Sequence, residues 1–245
     1  MNIPKDFCLK SYALRCAIEG GQNAILECLL DGGVPFDMQN VEDRSSIHIA
    51  IKKHHDAVMA MLVDKGLLYW HDLAKDGGSR LLHRAARRGN SSILQNLLQV
   101  GVPANIVEEG SRFTALHEAA RSGHSNAIKV LLDHKANIEA GNSTQWTALH
   151  LAALYGHVDA VRLLCQRGAN IGARASVIYK TPLHEAATCG NVAVIRELVE
   201  WGADLNSTND VGKTPLDFAT LYMKKDNQAV LRELGAKTGA ELRKT

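Results

Sequence analysis

Aromatic residues make up only 5% of this 245-residue chain. A core with so few large rings is built from Leu, Ala, Val and Ile, which pack most regularly between evenly spaced helices. Apolar runs long enough to cross a bilayer are missing. The first twenty residues carry Lys5, Asp6, Lys10, Arg15 and Glu19, so the apolar stretch of a signal peptide is missing too. The five cysteines, Cys8, Cys16, Cys28, Cys165 and Cys189, form no C-x-x-C pair, which argues against a zinc knuckle or a redox dithiol. Reduced thiols in an intracellular, cytoplasmic protein are the expectation. The formal net charge of +2 is too small to point to a polyanion by itself. There is no G-x-S-x-G elbow, Walker loop or G-x-G-x-x-G fingerprint. What remains is a hydrophobic fraction of 46%, enough for a continuous core.

That core is written as a repeat. Thr114-Ala-Leu-His-Glu-Ala-Ala, Thr147-Ala-Leu-His-Leu-Ala-Ala and Thr181-Pro-Leu-His-Glu-Ala-Ala recur almost unchanged. Looser copies begin at Ser45, Arg80 and Thr214. His48, His83, His117, His150 and His184 follow one another at a nearly constant interval. Asp217 takes the same place one interval after His184, and Arg15 takes it one interval before His48. Seven units result.

These residues resemble the ankyrin repeat, over almost the whole chain. The resemblance implies an all-α ankyrin-repeat solenoid, each unit a turn and two antiparallel helices, with β-hairpin fingers projecting between units. The expected organisation is a single domain, 1–245. Its units are 7–39 (an N-terminal cap), 40–74, 75–108, 109–141, 142–175, 176–208 and 209–236 (a C-terminal cap), followed by a tail, 237–245, as a short helical extension or frayed end.

A second register agrees. Glycines form evenly spaced pairs at Gly21 and Gly33, Gly89 and Gly101, Gly156 and Gly168, and Gly190 and Gly202. These places suit the positive φ of helix ends. His54, Lys135 and Met223 stand where glycine is expected, so those ends should be strained or reshaped. Arg232 and Gln228 replace apolar residues in the last unit, as a water-facing cap requires. Among the finger turns, Gly78 and Gly212 fit the glycine the family favours, whereas Arg112, Gln145 and Tyr179 do not.

The recurring histidines invite a metal reading, but they lie one repeat apart, and zinc ligands must converge within about 2.1 Å of one ion. The resemblance implies instead that each bonds the backbone of the adjoining turn. His117-Glu118 and His184-Glu185 begin like a zinc-protease helix, yet Arg121 and Thr188 stand where the second His is needed. Thr114, Thr147, Thr181 and Thr214 are helix caps, with Pro182 and Pro215 suited to the first turn. No cofactor, metal or catalytic residue is expected, and the chain is not expected to be an enzyme.

Function should lie where the repeat leaves residues free to vary. The family binds through finger tips and the exposed side of each first helix, which together line a groove. The early units are basic there, with Lys52, Lys53, Arg84, Arg87, Arg88 and Arg121. Later units turn apolar and aromatic, with Phe113, Trp146, Leu154, Tyr155 and then Val177, Ile178 and Tyr179. Exposed aromatics of this kind mark partner sites. The expectation is a monomeric, non-catalytic scaffold or adaptor for a protein or peptide with an apolar anchor and an acidic flank. One alternative is nucleic-acid or anionic-surface binding through the basic end. Another is a secreted bacterial effector acting on a host protein, since the ending from Leu234 to Leu242 looks like the tails of many bacterial ankyrin proteins.

Overall fold

The structure, a computed structural model, describes residues 5–53, 55–67, 75–175, 178–189 and 191–244. It divides into two compact units, 1–85 with 91–103, and 86–90 with 104–245. Every element among the described residues is helical.

The first unit contains α1 (Lys5–Gly20), α2 (Asn23–Asp31), α3 (Val41–Lys53), α4 (Asp56–Asp64), α5 (Lys75–Arg88, as far as Ala85) and α6 (Ser91–Gln99). α1 packs beside α3, and α2, α4 and α6 form a second row. Leu14, Ile18, Leu26, Ile47, Met59, Leu62 and Leu94 are fully buried between them. Arg15, at the register of the histidines, does their work differently. Its guanidinium reaches across to Asp43 at 3.3 Å and Glu42 at 2.8 Å on α3.

Two first helices of this unit overrun their expected starts. α3 begins before Ser45, at Val41, and α5 begins before Arg80, at Lys75, with Gly78 inside the helix rather than in a finger turn. The cap of the later repeats is not formed at either place: the Ser45 hydroxyl donates instead to the Val41 carbonyl at 2.8 Å, and Arg80 offers no capping oxygen. His48 and His83 accordingly turn back on their own helices, each placing Nδ1 2.7 Å from a carbonyl one turn earlier, that of Arg44 and that of Ser79.

The second unit contains α7 (Ala115–Arg121), α8 (Ser125–Asp133), α9 (Ala148–Leu154), α10 (Val158–Gln166), α11 (Pro182–Cys189), α12 (Val192–Glu200), α13 (Pro215–Leu221), α14 (Lys225–Glu233) and α15 (Gly239–Leu242). The first helices pack α7–α9–α11–α13, and the second helices α8–α10–α12–α14. The paired alanines Ala119, Ala120, Ala152, Ala153, Ala186 and Ala187 are solvent-free. Only such small side chains let neighbouring axes approach this closely.

Threonine decides where these helices start, and histidine joins one to the next. In His117 the Nδ1 atom accepts from the Thr114 hydroxyl at 2.8 Å and its N–H at 3.1 Å. Nε2–H then donates to the Trp146 carbonyl at 2.8 Å, at the foot of the next finger. His150 repeats this with Thr147 and the Lys180 carbonyl, and His184 with Thr181 and the Lys213 carbonyl. Both ring nitrogens are consumed, which leaves none for a metal. Asp217 ends the series: its carboxylate accepts from the Thr214 N–H at 2.9 Å and from the Gly239 N–H at 2.7 Å. It thereby starts α15, so the expected tail extension is helical. A Cβ on Gly239 would collide with the Gly212 carbonyl oxygen.

A second ladder, unread in the sequence, uses the residue after each breaker. His124 Nε2 bonds the Arg87 carbonyl at 3.1 Å, His157 the Arg121 carbonyl at 2.9 Å, and Asn191 Nδ2 the Gly156 carbonyl at 2.7 Å. His157 lies so close over Gly123 that a Cβ there would stand 2.6 Å from its Nδ1.

The fingers are turns more than ribbons. Antiparallel pairing among the described residues is confined to the single bridges Val107–Thr114 and Ala175–Lys180. Arg112, Gln145 and Tyr179 adopt the left-handed φ expected of glycine, at 54°, 59° and 52°, matching Gly212 at 71°. Side chains hold the turn instead: Asn142 Oδ1 accepts from the Thr144 and Trp146 N–H groups, and Asn209 Oδ1 from those of Val211 and Lys213. Lys135 and Met223 likewise keep positive φ, at 63° and 54°. These helix ends are strained but not reshaped. His54 and Gly190 lie outside the described residues.

Two outcomes follow. Lys135 is exposed, so Lys135→Gly should relieve its strain and raise stability by about 1 kcal/mol in denaturant titrations. Burial holds His150 and His184 down to a pKa of about 4, below the roughly 6.5 of an unfolded histidine. The unfolded chain therefore binds more protons between those values, so stability is complete above a pH of about 6.5 and falls as pH drops towards about 4. Each histidine should withdraw about 3 kcal/mol at the lower end. Unfolding free energies that stay level from neutral pH down to that point would contradict this.

Candidate protein-interaction site

The variable positions sort by partner. In the first unit Lys52 and Lys53 are exposed, and Lys53 Nζ donates to the Glu19 carbonyl at 3.2 Å. Arg84 is half-buried. In the second unit Arg88 is exposed, and Arg87 and Arg121 are engaged within the protein. Arg87 grips the Glu118 carboxylate with Nε and Nη2, both at 3.0 Å. Arg121 Nη2 reaches the same carboxylate at 3.0 Å. Glu118 is 2% exposed, so two guanidinium groups neutralise a carboxylate that burial would otherwise disfavour. Arg121 also lies 5.8 Å from the centre of the Phe113 ring. The basic run expected as an open patch is, at Arg87 and Arg121, part of this clamp.

The aromatic positions are half-buried or exposed. Phe113 and Trp146 are half-buried, each tilted against the register histidine of its own repeat, His117 at 5.3 Å and His150 at 6.1 Å. Leu154 is half-buried at the end of α9, and Tyr155, which caps that helix, is 53% exposed. Tyr179 is 50% exposed at its finger tip, and Ile178 is half-buried beside it. Val177 lies outside the described residues.

Trp146 and Ile178 come together as walls of one cleft of about 340 Å³, with Thr144, Ala175, Lys180 and Glu185. Lys180 holds the variable position before the motif threonine, whereas Glu185 does not stand out as a site residue in the sequence. Leu221 and Tyr222, also at variable positions of the repeat, and Met223 are exposed by 70%, 51% and 81% at the end of α13. The signal for the carboxylates was present. Glu118 and Glu185 occupy the same repeat position, but Leu154 and Thr188 stand around Glu185 where Arg87 and Arg121 stand around Glu118. Lys180 Nζ stands 3.4 Å from Glu185 Oε1 and 4.7 Å from the centre of the Phe218 ring.

Family models match this architecture: three copies of ankyrin repeats over residues 82–175 and one ankyrin repeat over 179–210, together half of the chain. The chain belongs to the ankyrin-repeat family. Ankyrin repeats generally mediate protein–protein interaction and are typically non-catalytic. Among curated relatives, a transient receptor potential cation channel subfamily A member 1 homolog of Caenorhabditis elegans is 33% identical over 111 residues, which is 44% of this chain and 9% of the relative. Protein phosphatase 1 regulatory subunit 12A of Mus musculus is 37% identical over 110 residues, 43% of this chain and 10% of the relative. Rabankyrin-5 of Homo sapiens is 26% identical over 155 residues, 49% and 13%. The chain therefore spans about a tenth of the length of the curated relatives it matches. No helix among the described residues is long and apolar enough to cross a membrane.

The clamp makes a prediction. Arg87→Ala leaves buried Glu118 with one cation, and because Arg87 is itself 47% exposed, the loss should be about 1–2 kcal/mol, short of a fully buried pair. Thermal melting beside a Lys129→Ala control, an exposed residue expected within about 0.5 kcal/mol of the parent, checks it.

Proposed function

We propose that this ankyrin-repeat chain is a non-catalytic adaptor that holds a protein or peptide against the finger turns and first helices of its second unit. What supports the reading is that Tyr155 and Tyr179 are 53% and 50% exposed, that Trp146 and Ile178 line one cleft, and that Phe113 and Leu154 are only half-buried. Core packing needs none of these at those positions, because the buried alanines and the second-helix leucines already close the interior. Large amphipathic side chains held by a rigid backbone are efficient anchors. Trp146 is fixed by its N–H bond to Asn142 and by His150 behind its ring, so little freedom is lost when a ligand covers it.

The partner we infer contributes an apolar anchor to this surface. Its acidic flank faces Arg88 and the Arg87–Arg121 pair, where two guanidinium groups outnumber one carboxylate. The relatives' names support a regulatory or assembly role: protein phosphatase 1 regulatory subunit 12A is by name a subunit of a larger enzyme assembly. The reading places the chain inside the cell, as a monomer that acts by bringing other proteins together.

The test is capture with quantitative mass spectrometry, the parent chain beside Trp146→Ala and Tyr155→Ala. Tyr155→Ala should leave stability within about 0.5 kcal/mol, and Trp146→Ala should cost about 1 kcal/mol of ring packing. Each should weaken partner binding by about 1–3 kcal/mol. A captured set that is identical for parent and double variant, with both still folded, would refute the assignment. Binding that instead collapses with rising salt and with Arg88→Glu would favour an anionic partner.

A further inference from the structure

Glu118 and Glu185 are the same residue of the repeat in two environments. Around Glu118, the equivalent place on the preceding first helix is Arg87 and the place one turn later is Arg121, and both guanidinium groups close on the carboxylate. Around Glu185, the same two positions are Leu154 and Thr188. Neither carries a charge. Glu185 is nonetheless as deeply placed, 2% exposed. Its Oε1 makes no hydrogen bond among the described residues. Lys180 stands 3.4 Å away but poorly aligned, and rests over the Phe218 ring. Burial pushes the Glu185 carboxyl up from its ordinary value, the expected response of an acid whose partners are incomplete.

An under-partnered buried carboxylate is costly unless something completes its shell. The residue borders an opening, although its Oε1 is itself closed to solvent. Glu185 lines the cleft of about 340 Å³ whose other walls are Trp146, Ile178, Ala175, Thr144 and Lys180. The walls are mainly apolar and one is an indole face. That combination suits a long side chain with an aliphatic stem and a planar cationic end, since indole attracts cations and a carboxylate takes a guanidinium fork in two hydrogen bonds. With Lys180 in place, one incoming cation would restore the ratio of two cations to one carboxylate found at Glu118.

We propose that this cleft receives an arginine side chain of the partner protein, its guanidinium on Glu185 in the place that Arg87 and Arg121 fill around Glu118. The proposal rests on the reading that this face binds a protein, and it names the residue recognised.

The test uses Nα-acetyl-argininamide and its uncharged isostere Nα-acetyl-citrullinamide, titrated into the full chain with the Trp146 indole N–H resonance as readout. The arginine compound should bind at least roughly fivefold more tightly than the citrulline compound, as loss of charge assistance requires. Glu185→Gln, which preserves shape, should abolish that preference. Leu154→Arg with Thr188→Arg rebuilds the Glu118 clamp from within, and should raise the melting temperature while abolishing arginine binding. Equal binding of the two compounds by the parent chain would overturn the proposal. So would a preference that survives either folded variant. Capture that depends on Trp146 and Tyr155 but is unchanged by Glu185→Gln would leave the protein-binding reading standing and remove only the arginine. Arginine binding through Glu185 without any such capture would do the reverse.

Discussion

One imidazole ring, used three times, holds the second unit together. Its Nδ1 accepts from the threonine that starts its own helix, and its Nε2–H donates to a carbonyl in the next finger. The two jobs cannot be separated, because the proton must sit on Nε2 for Nδ1 to accept. Asp217 shows the limit: its shorter carboxylate caps Thr214 equally well but reaches only the Gly239 N–H of the tail. The array turns from stacking to closure at that substitution.

The same ring shows what happens without its threonine. At His48 and His83 the residue in the threonine's place is Ser45 or Arg80, the helix runs on toward its N-terminus, and the imidazole folds back onto its own carbonyl. The expected finger with Gly78 at its turn is absent for this reason. Local capping chemistry, worth about 1 kcal/mol per helix, is what differs between these helix starts and those of the second unit. Fingers are where this family meets its partners, so the proposed binding surface sits in the second unit, where the threonine caps recur.

Side chains on the variable side divide into those that satisfy the protein and those left over. Arg87 and Arg121 looked in the sequence like part of a basic patch; in the structure they serve Glu118. Trp146 and Ile178 looked like an aromatic and an aliphatic anchor on separate fingers, and they close one cleft. Glu185 looked like a fragment of a failed zinc motif, and it is the polar floor of that cleft. The rigid ladder beneath these residues matters, because a preorganised surface spends little of its binding energy on ordering itself.

The repeat register, the pairing of helices, the alanine contacts and the capping threonines were legible in the sequence alone. Identical side chains at identical offsets can be satisfied only by the same local structure each time. Even the places of strain were readable, since Lys135 and Met223 stand where only glycine adopts positive φ freely. What the linear chain could not decide was which side chains from different repeats would meet. Arg87 and Glu118 are separated by the same stretch of sequence as Leu154 and Glu185, and nothing in that spacing says that one carboxylate is clamped and the other under-partnered. That difference arises only when stacking brings successive helices together and excludes water, because burial is what turns a missing partner into an energetic demand.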